Sequence, residues 1–296
     1  MSEIRIIRSL HEMISHAEEL QKNGIRIGLV PTMGYLHEGH LSLVRLLDGH
    51  CDLKAASIFV NPIQFGPNED LAKYPRNEVR DLELLEKEGC ELVFAPSPEE
   101  MYPEDYQTYI EVELMSKTLC GRFRPDHFRG VATIVNRLFN LTRCSVAAFG
   151  LKDFQQAQVI KKMKRDLHLP VKLLFGETVR EDDGLAMSSR NAYLDEEQRN
   201  LAGYIPKSLE WVSREANVAE QDSDCLRAGM EDILNTQPGI KIQYIEFVDP
   251  KTLDPVQIID RKVQVLLAVY IGKTRLIDNI EIGPGSKMKP FKELTV

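Results

Sequence analysis

The chain has 296 residues, 43% hydrophobic and 28% charged, which suits an ordinary buried core in one large domain or two unequal ones. A net charge of −8 argues against a nucleic-acid-binding surface, and no apolar run approaches the roughly 18 residues needed to span a bilayer. Five cysteines at 51, 90, 120, 144 and 225 lack CxxC spacing, so free thiols in a reducing, cytoplasmic setting are expected.

Met1–Leu20 mixes charges and apolar residues at helical spacing and has no signal-peptide centre. Ile25–Val30 reads as a short strand, followed by a turn at Gly34 and an amphipathic helix through Leu41–Leu47. Strands are expected at Leu53–Val60, Glu91–Ala95, Val146–Phe149 and Val171–Phe175. Helices are expected at Glu78–Glu88, closed by Gly89, and at Val131–Leu141 and Gln155–Leu167. Repeated strand–helix–strand order predicts a Rossmann-like, doubly wound parallel sheet, with ligands beyond the carboxyl ends of its strands. From Asp195 to Leu234 the pattern turns charged and helical. Strands follow at Ile240–Val248, Val263–Ile271 and Thr274–Ile280, the last two forming a hairpin around Gly272-Lys273. The division is therefore a first domain at 1–176, binding ATP and pantoate in the reading below, and a smaller α+β lid domain at 177–296.

Chemistry-bearing residues gather at the ends of the early strands. In Pro31-Thr-Met33-Gly34-Tyr-Leu-His37-Glu-Gly-His40 the two histidines lie three apart, on one face of a starting helix. Unpaired backbone N–H groups and the helix dipole make such a start a phosphate site. Asn61 and Gln64 offer amides to a hydroxylated substrate, and the Gly66-Pro67-Asn68 turn after them reads as a mobile lid or an ordinary polar loop. Gly150 permits close backbone approach, Lys152 is a cation set against a helix dipole, and Gln156 follows one turn on. Ser188, Ser189 and Arg190 suit phosphate, or else cap the helix beginning near Asp195. Gly121–Gly130 is a basic loop that reads equally as a solvated connector.

The histidine helix start and the later Met187-Ser-Ser-Arg190 loop resemble the paired HIGH and KMSKS elements of adenylate-forming and nucleotidyl-transferring enzymes. In order, PTMGYLHEGHLSLVR, NPIQFGPNEDLAKYPR, HFRGVATIVNRLFN, FGLKDFQQ and VREDDGLAMSSRNAYL look like the pantothenate synthetase (pantoate–β-alanine ligase) family. The likeness covers residues 25–194, with a weaker echo in LAVYIGKTRLIDN.

The resemblance implies that pantoate is adenylated by MgATP and that β-alanine then displaces AMP. By that likeness Met33, Gly34, His37, His40, Gly150, Lys152, Asp153, Val179, Met187, Ser188, Ser189 and Arg190 bind ATP. His37, His40 and Lys152 are catalytic, with His37 the proton donor, and Asn61, Gln64 and Gln156 bind pantoate. Magnesium is held largely by phosphates, so no residue is assigned as a metal ligand, although Asp81 matches a family position near the metal. A cytoplasmic homodimer without nucleic-acid or membrane partners is also implied. Leu151, Asp126 and Arg137 depart from the family pattern, Asp126 replacing a common glycine, and Pro206 is expected to kink or shorten its helix. The rival readings are a nucleotidylyltransferase acting on a phosphorylated acceptor, a hydrolase with a metal on His37 and His40, and a non-catalytic nucleotide binder.

Overall fold

In the computed structural model, which describes residues 4–67, 69–216 and 222–286, the chain forms two units. The first comprises 1–151 and 155–177, the second 152–154 and 178–296. Asn68 of the expected lid turn, 217–221 of the expected helical run and 287–296 of the expected second domain lie outside the described residues.

The first unit opens with β1 (Arg5–Ile7), α1 (Leu10–Lys22), β2 (Ile27–Thr32), α2 (Glu38–Leu46) and β3 (Leu53–Ile58). It continues through α3 (Glu78–Lys87), β4 (Leu92–Phe94), α4 (Pro98–Met101) and α5 (Cys120–Phe123). α6 (His127–Thr142), β5 (Val146–Gly150), α7 (Phe154–Asp166) and β6 (Lys172–Gly176) complete the alternation. All pairings are parallel and the strand order is β1-β4-β3-β2-β5-β6. Successive strand residues face opposite ways. Leu29, Ala55 and Ala147 therefore join one core with residues of α1, α6 and α7, while Val30, Ala56 and Ala148 join another with α2 and α3. The sheet is covered on both faces, as strands buried on both sides require.

β2 holds β3 on one side and β5 on the other, so the strand order reverses beside it. The ends of β2 and β5 are thus where such a sheet binds ligands. The Met33–His40 segment leaves the first and Gly150 ends the second.

The second unit carries α8 (Glu196–Ala202), α9 (Tyr204–Glu215) and α10 (Ser223–Asn235). Strands β7 (Ile240–Val248), β8 (Val263–Ile271) and β9 (Thr274–Ile282) follow in an antiparallel sheet of that order. Leu209, Val212 and Met230 pack with Val265, Leu267 and Phe247 in its core.

Several elements differ from the sequence expectation. The N-terminal segment contributes a three-residue edge strand before its helix. α6 begins at His127 rather than Val131. Pro206 is, as expected, a helix shortener: the helix that follows Asp195 stops at Ala202, and Pro206 sits in the first turn of α9, where backbone N–H groups have no intrahelical partner and proline removes nothing.

Candidate active site

β2 delivers the chain into a turn at Gly34 (φ +77°) and Tyr35 (φ +51°), both left-handed. Glycine adopts that conformation without strain, and a Cβ at position 34 would lie 3.1 Å from Asp81 Oδ2 and from Ile58 Cγ2. Thr32 Oγ1 donates to the Ser57 carbonyl (2.7 Å) and accepts from the Gly34 N–H (3.1 Å). Asp81 is 1% exposed and reaches over from α3. Its Oδ2 accepts from the Tyr35 N–H and its Oδ1 from the Leu36 N–H, each at 2.7 Å. Burial pushes its carboxyl up from the usual carboxylate range, with the Leu36 and Tyr35 N–H groups opposing. Asp81, assigned by resemblance to the metal's neighbourhood, spends both oxygens on the turn that leads to the histidines.

His37 is the N-cap of α2 and His40 its third residue. The His37 Nδ1 accepts from the Gly39 N–H (3.2 Å), and the His40 Nδ1 accepts from the His37 N–H (3.3 Å). This is a reciprocal cap built from two imidazoles, with ring centroids 4.1 Å apart. Each of these contacts occupies Nδ1, which leaves Nε2 as the ring nitrogen that can donate.

Past β3, Asn61 and Gln64 are both buried. Asn61 Nδ2 donates to Gln64 Oε1 and to the Gly130 carbonyl, both at 3.1 Å, and Tyr102 Oη donates to Asn61 Oδ1 (2.9 Å). Gln64 Nε2 lies 2.9 Å from Met33 Sδ, so Met33, Asn61, Gln64 and Tyr102 form one chain of contacts. Only glycine fits at position 130, because a Cβ there would come within 2.8 Å of the Gln64 backbone. Arg137, a departure from the family pattern, stacks its guanidinium over Tyr102 and Tyr106, 5.6 and 4.7 Å from the ring centroids.

The basic loop is no solvated connector. Arg124 binds the Glu69 carboxylate through Nε (2.6 Å) and Nη2 (2.5 Å), and His127 Nδ1 contacts the Gln64 carbonyl (2.8 Å). Asp126 holds φ +64°, the conformation for which glycine is the usual occupant and which aspartate tolerates. Gln156 is half-buried in the first turn of α7, and a Cβ at Gly150 would meet nothing within 4 Å.

In the second unit, Val179–Met187 is a small hairpin closed by Met187 N–H to Val179 O (2.9 Å) and Glu181 N–H to Leu185 O (2.8 Å). Arg180 binds Asp278 through two nitrogens, at 2.6 and 3.0 Å. Arg199 grips Asp183 and Glu181, holding the Asp183 carboxyl below the usual range. Ser188 caps the single turn Ser189–Tyr193, accepting from the Arg190 N–H at 3.3 Å. α8 has its own cap in Asp195 and Gln198, so the serine pair is not that helix's cap. Lys152 and Asp153 also belong to this unit; Lys152 Nζ lies 3.9 Å from Asp153 Oδ2, and its carbonyl accepts from Asn279 Nδ2 (2.9 Å).

Within the first unit Met33 touches Gln64, and Gln64 touches Asn61. Within the second, consecutive residues of β9 hold the Lys152 carbonyl and the Arg180 guanidinium. Sequence reasoning missed Tyr102, Gly130, Asp278 and Asn279 as supports, although Gly130 lies in HFRGVATIVNRLFN and Asp278-Asn279 end LAVYIGKTRLIDN.

A doubly wound parallel sheet with an imidazole-capped helix at the reversal of its strand order is the arrangement of an α/β enzyme. The pattern of the family described as pantoate-beta-alanine ligase matches residues 5–281. The chain belongs to that family. It is 52% identical over 263 residues to a pantothenate synthetase of Thermoanaerobacter sp., covering 89% of this chain and 93% of the relative. It is 50% identical over 280 residues to that of Thermotoga neapolitana, covering 95% and 100%. A crystal structure of pantothenate synthetase from Thermus thermophilus superposes with TM-score 0.89 at 40% identity, covering 95% of this chain and 100% of that one. A pantoate-beta-alanine ligase from Francisella tularensis, complexed with beta-gamma ATP and beta-alanine, gives TM-score 0.78 at 33% identity, covering 94% and 97%.

Proposed function

We propose that this chain condenses pantoate with β-alanine at the expense of ATP, by way of pantoyl adenylate. The observation that carries the reading is the His37–His40 cap, two imidazoles side by side at the start of α2 just past the carboxyl end of β2, where such a sheet binds ligands.

A pantoate carboxylate oxygen attacks the α-phosphorus of ATP and pyrophosphate leaves. The β-alanine amine then attacks the acyl carbon, AMP departs with the acyl–oxygen electron pair, and the amide of pantothenate remains. Negative charge builds on phosphate oxygens in the first step, so fixed donors lower its barrier; one such donor is worth about 3–4 kcal/mol in well-studied sites. His37 and His40 supply Nε2–H donors, with His37 the proton donor. Lys152 supplies a point charge, and Ser188, Ser189 and Arg190 supply hydroxyls and a guanidinium fork. Met33, Gly34, Gly150 and Asp153 line the nucleotide, and the Val179 backbone contacts adenine. Asn61, Gln64 and Gln156 hold pantoate through amides, the first two already fixed by Tyr102 and by one another. Magnesium enters with ATP, its ligands chiefly phosphate oxygens and water, and serves to neutralise charge on the departing pyrophosphate. The second unit acts as a lid domain, and the working form is a cytoplasmic homodimer. Five free thiols fit a reducing compartment, and among the described residues no helix is long and apolar enough to cross a membrane.

Product analysis with ATP, magnesium and D-pantoate, with and without β-alanine, tests the reaction. Pyrophosphate is expected whenever pantoate is present, with AMP and pantothenate released into solution in quantity only when β-alanine is added. Absence of pyrophosphate under every combination contradicts the reading, and a phosphorylated acceptor would then be sought.

A further inference from the structure

β9 breaks the pattern of a strand with one buried face at a single step. Asp278 and Asn279 are consecutive, polar and both buried, 2% and 8% exposed. Neighbouring strand residues point to opposite sides, so one step presents a carboxylate to one side and an amide to the other. Buried polar groups are costly unless paired, and both are paired. Asp278 takes the Arg180 guanidinium at 2.6 and 3.0 Å, and its Oδ1 accepts from the Asn279 N–H (2.7 Å). Arg180 in turn donates to the Gly184 carbonyl (2.9 Å) and bridges Ala186 across the hairpin, fastening both of its strands. Asn279 accepts from Gln264 Nε2 (2.7 Å), which orients its amide, and donates through Nδ2 to the Lys152 carbonyl (2.9 Å). Apolar residues of similar volume would fill the same space with no such network, and burying an ion pair is often no gain in stability. What the network adds is the placement of two segments that are far apart in sequence.

We propose that Asp278 and Asn279 are positioning residues for the triphosphate. From one step of β9 they hold the backbone of Lys152 and the hairpin that leads into Met187–Arg190, so that amine, hydroxyls and guanidinium are presented as one fixed set. This rests on the reading of Lys152 as a phosphate-binding residue. Neither residue touches substrate in this account; each acts through the group it holds.

Equilibrium binding of ATP and of adenosine to the full chain tests it, in wild type, Asn279→Ala, Lys152→Ala and the double variant. Asn279→Ala is expected to weaken ATP about tenfold while adenosine changes by less than about twofold, because only the phosphate contacts are displaced. In the Lys152→Ala background the same change should have no further effect on ATP, since coupled residues are non-additive. Equal losses for ATP and adenosine, or an undiminished loss in the Lys152→Ala background, would overturn the proposal and leave Asn279 a structural residue. If Lys152→Ala leaves ATP binding unchanged, the phosphate role of Lys152 fails and the proposal with it. Asn279→Ser replaces Asn279→Ala if the latter does not fold, and the same comparison applies.

Discussion

Asp81 shows how one buried carboxylate can govern a site it does not enter. Its two oxygens hold consecutive N–H groups of a left-handed turn, and that turn ends at the imidazole that caps α2. Asparagine in its place would set an amide N–H against one of those backbone donors, leaving a buried donor unpaired at a cost of about 1–3 kcal/mol. Asp81→Asn is therefore expected to lower the rate of pantoate-dependent pyrophosphate release by about tenfold or more with its magnesium dependence unchanged. A raised magnesium requirement would instead make Asp81 a metal ligand. The histidines were legible in the sequence because their spacing states their relation. The supports were not, because Asp81, Tyr102 and Asn279 lie far along the chain from what they hold, and only the fold brings them there. Asp126 stands where the family commonly has glycine, and its φ of +64° is a conformation that glycine adopts freely and aspartate tolerates.

At the scale of elements, legibility follows length and the clarity of the ends. Ile240–Val248, which alternates apolar with polar residues, and Val263–Ile271, which is almost wholly apolar, are found residue for residue, each stopping at turn chemistry. Arg5–Ile7 is too short for any period to declare itself, and the start of α6 is hidden by an N-cap residue in left-handed conformation. Nothing in Val179–Met187 itself declares a hairpin, since Arg199 and Asp278, which tie it down, lie well beyond it in the chain. The hydrogen bond from Arg199 holds the Asp183 carboxyl low, the Leu185 N–H assists, and burial opposes. A folded-state pKa below the unfolded value of about 3.9 gives stability that is complete above that value and is lost as pH falls through the folded one. Asp183→Asn should then have a lower urea midpoint than wild type at neutral pH, with the gap closing as pH falls below about 4. A gap that persists in acid would place the effect in packing rather than in the ion pair.

At the scale of the whole molecule, two units each have a core of their own, and each carries groups assigned to the proposed reaction. The first supplies the imidazole donors and the amides, and the second supplies the amine, hydroxyls and guanidinium. Composition and alternation lead to an expected division at 176/177, in which Lys152–Phe154 fall in the first part, whereas the structure groups them with 178–296. Those residues sit inside a strand–helix repeat of the first, and only the Asn279 amide reveals where Lys152 belongs. The central claim is that a pantoate carboxylate oxygen attacks the α-phosphorus, so that this oxygen leaves with AMP. Mass analysis of AMP formed from pantoate carrying oxygen-18 in its carboxylate, with β-alanine present, tests it most directly. The account predicts one heavy oxygen in the AMP phosphate. Unlabelled AMP, with the displaced oxygen found instead in inorganic phosphate or water, would contradict it.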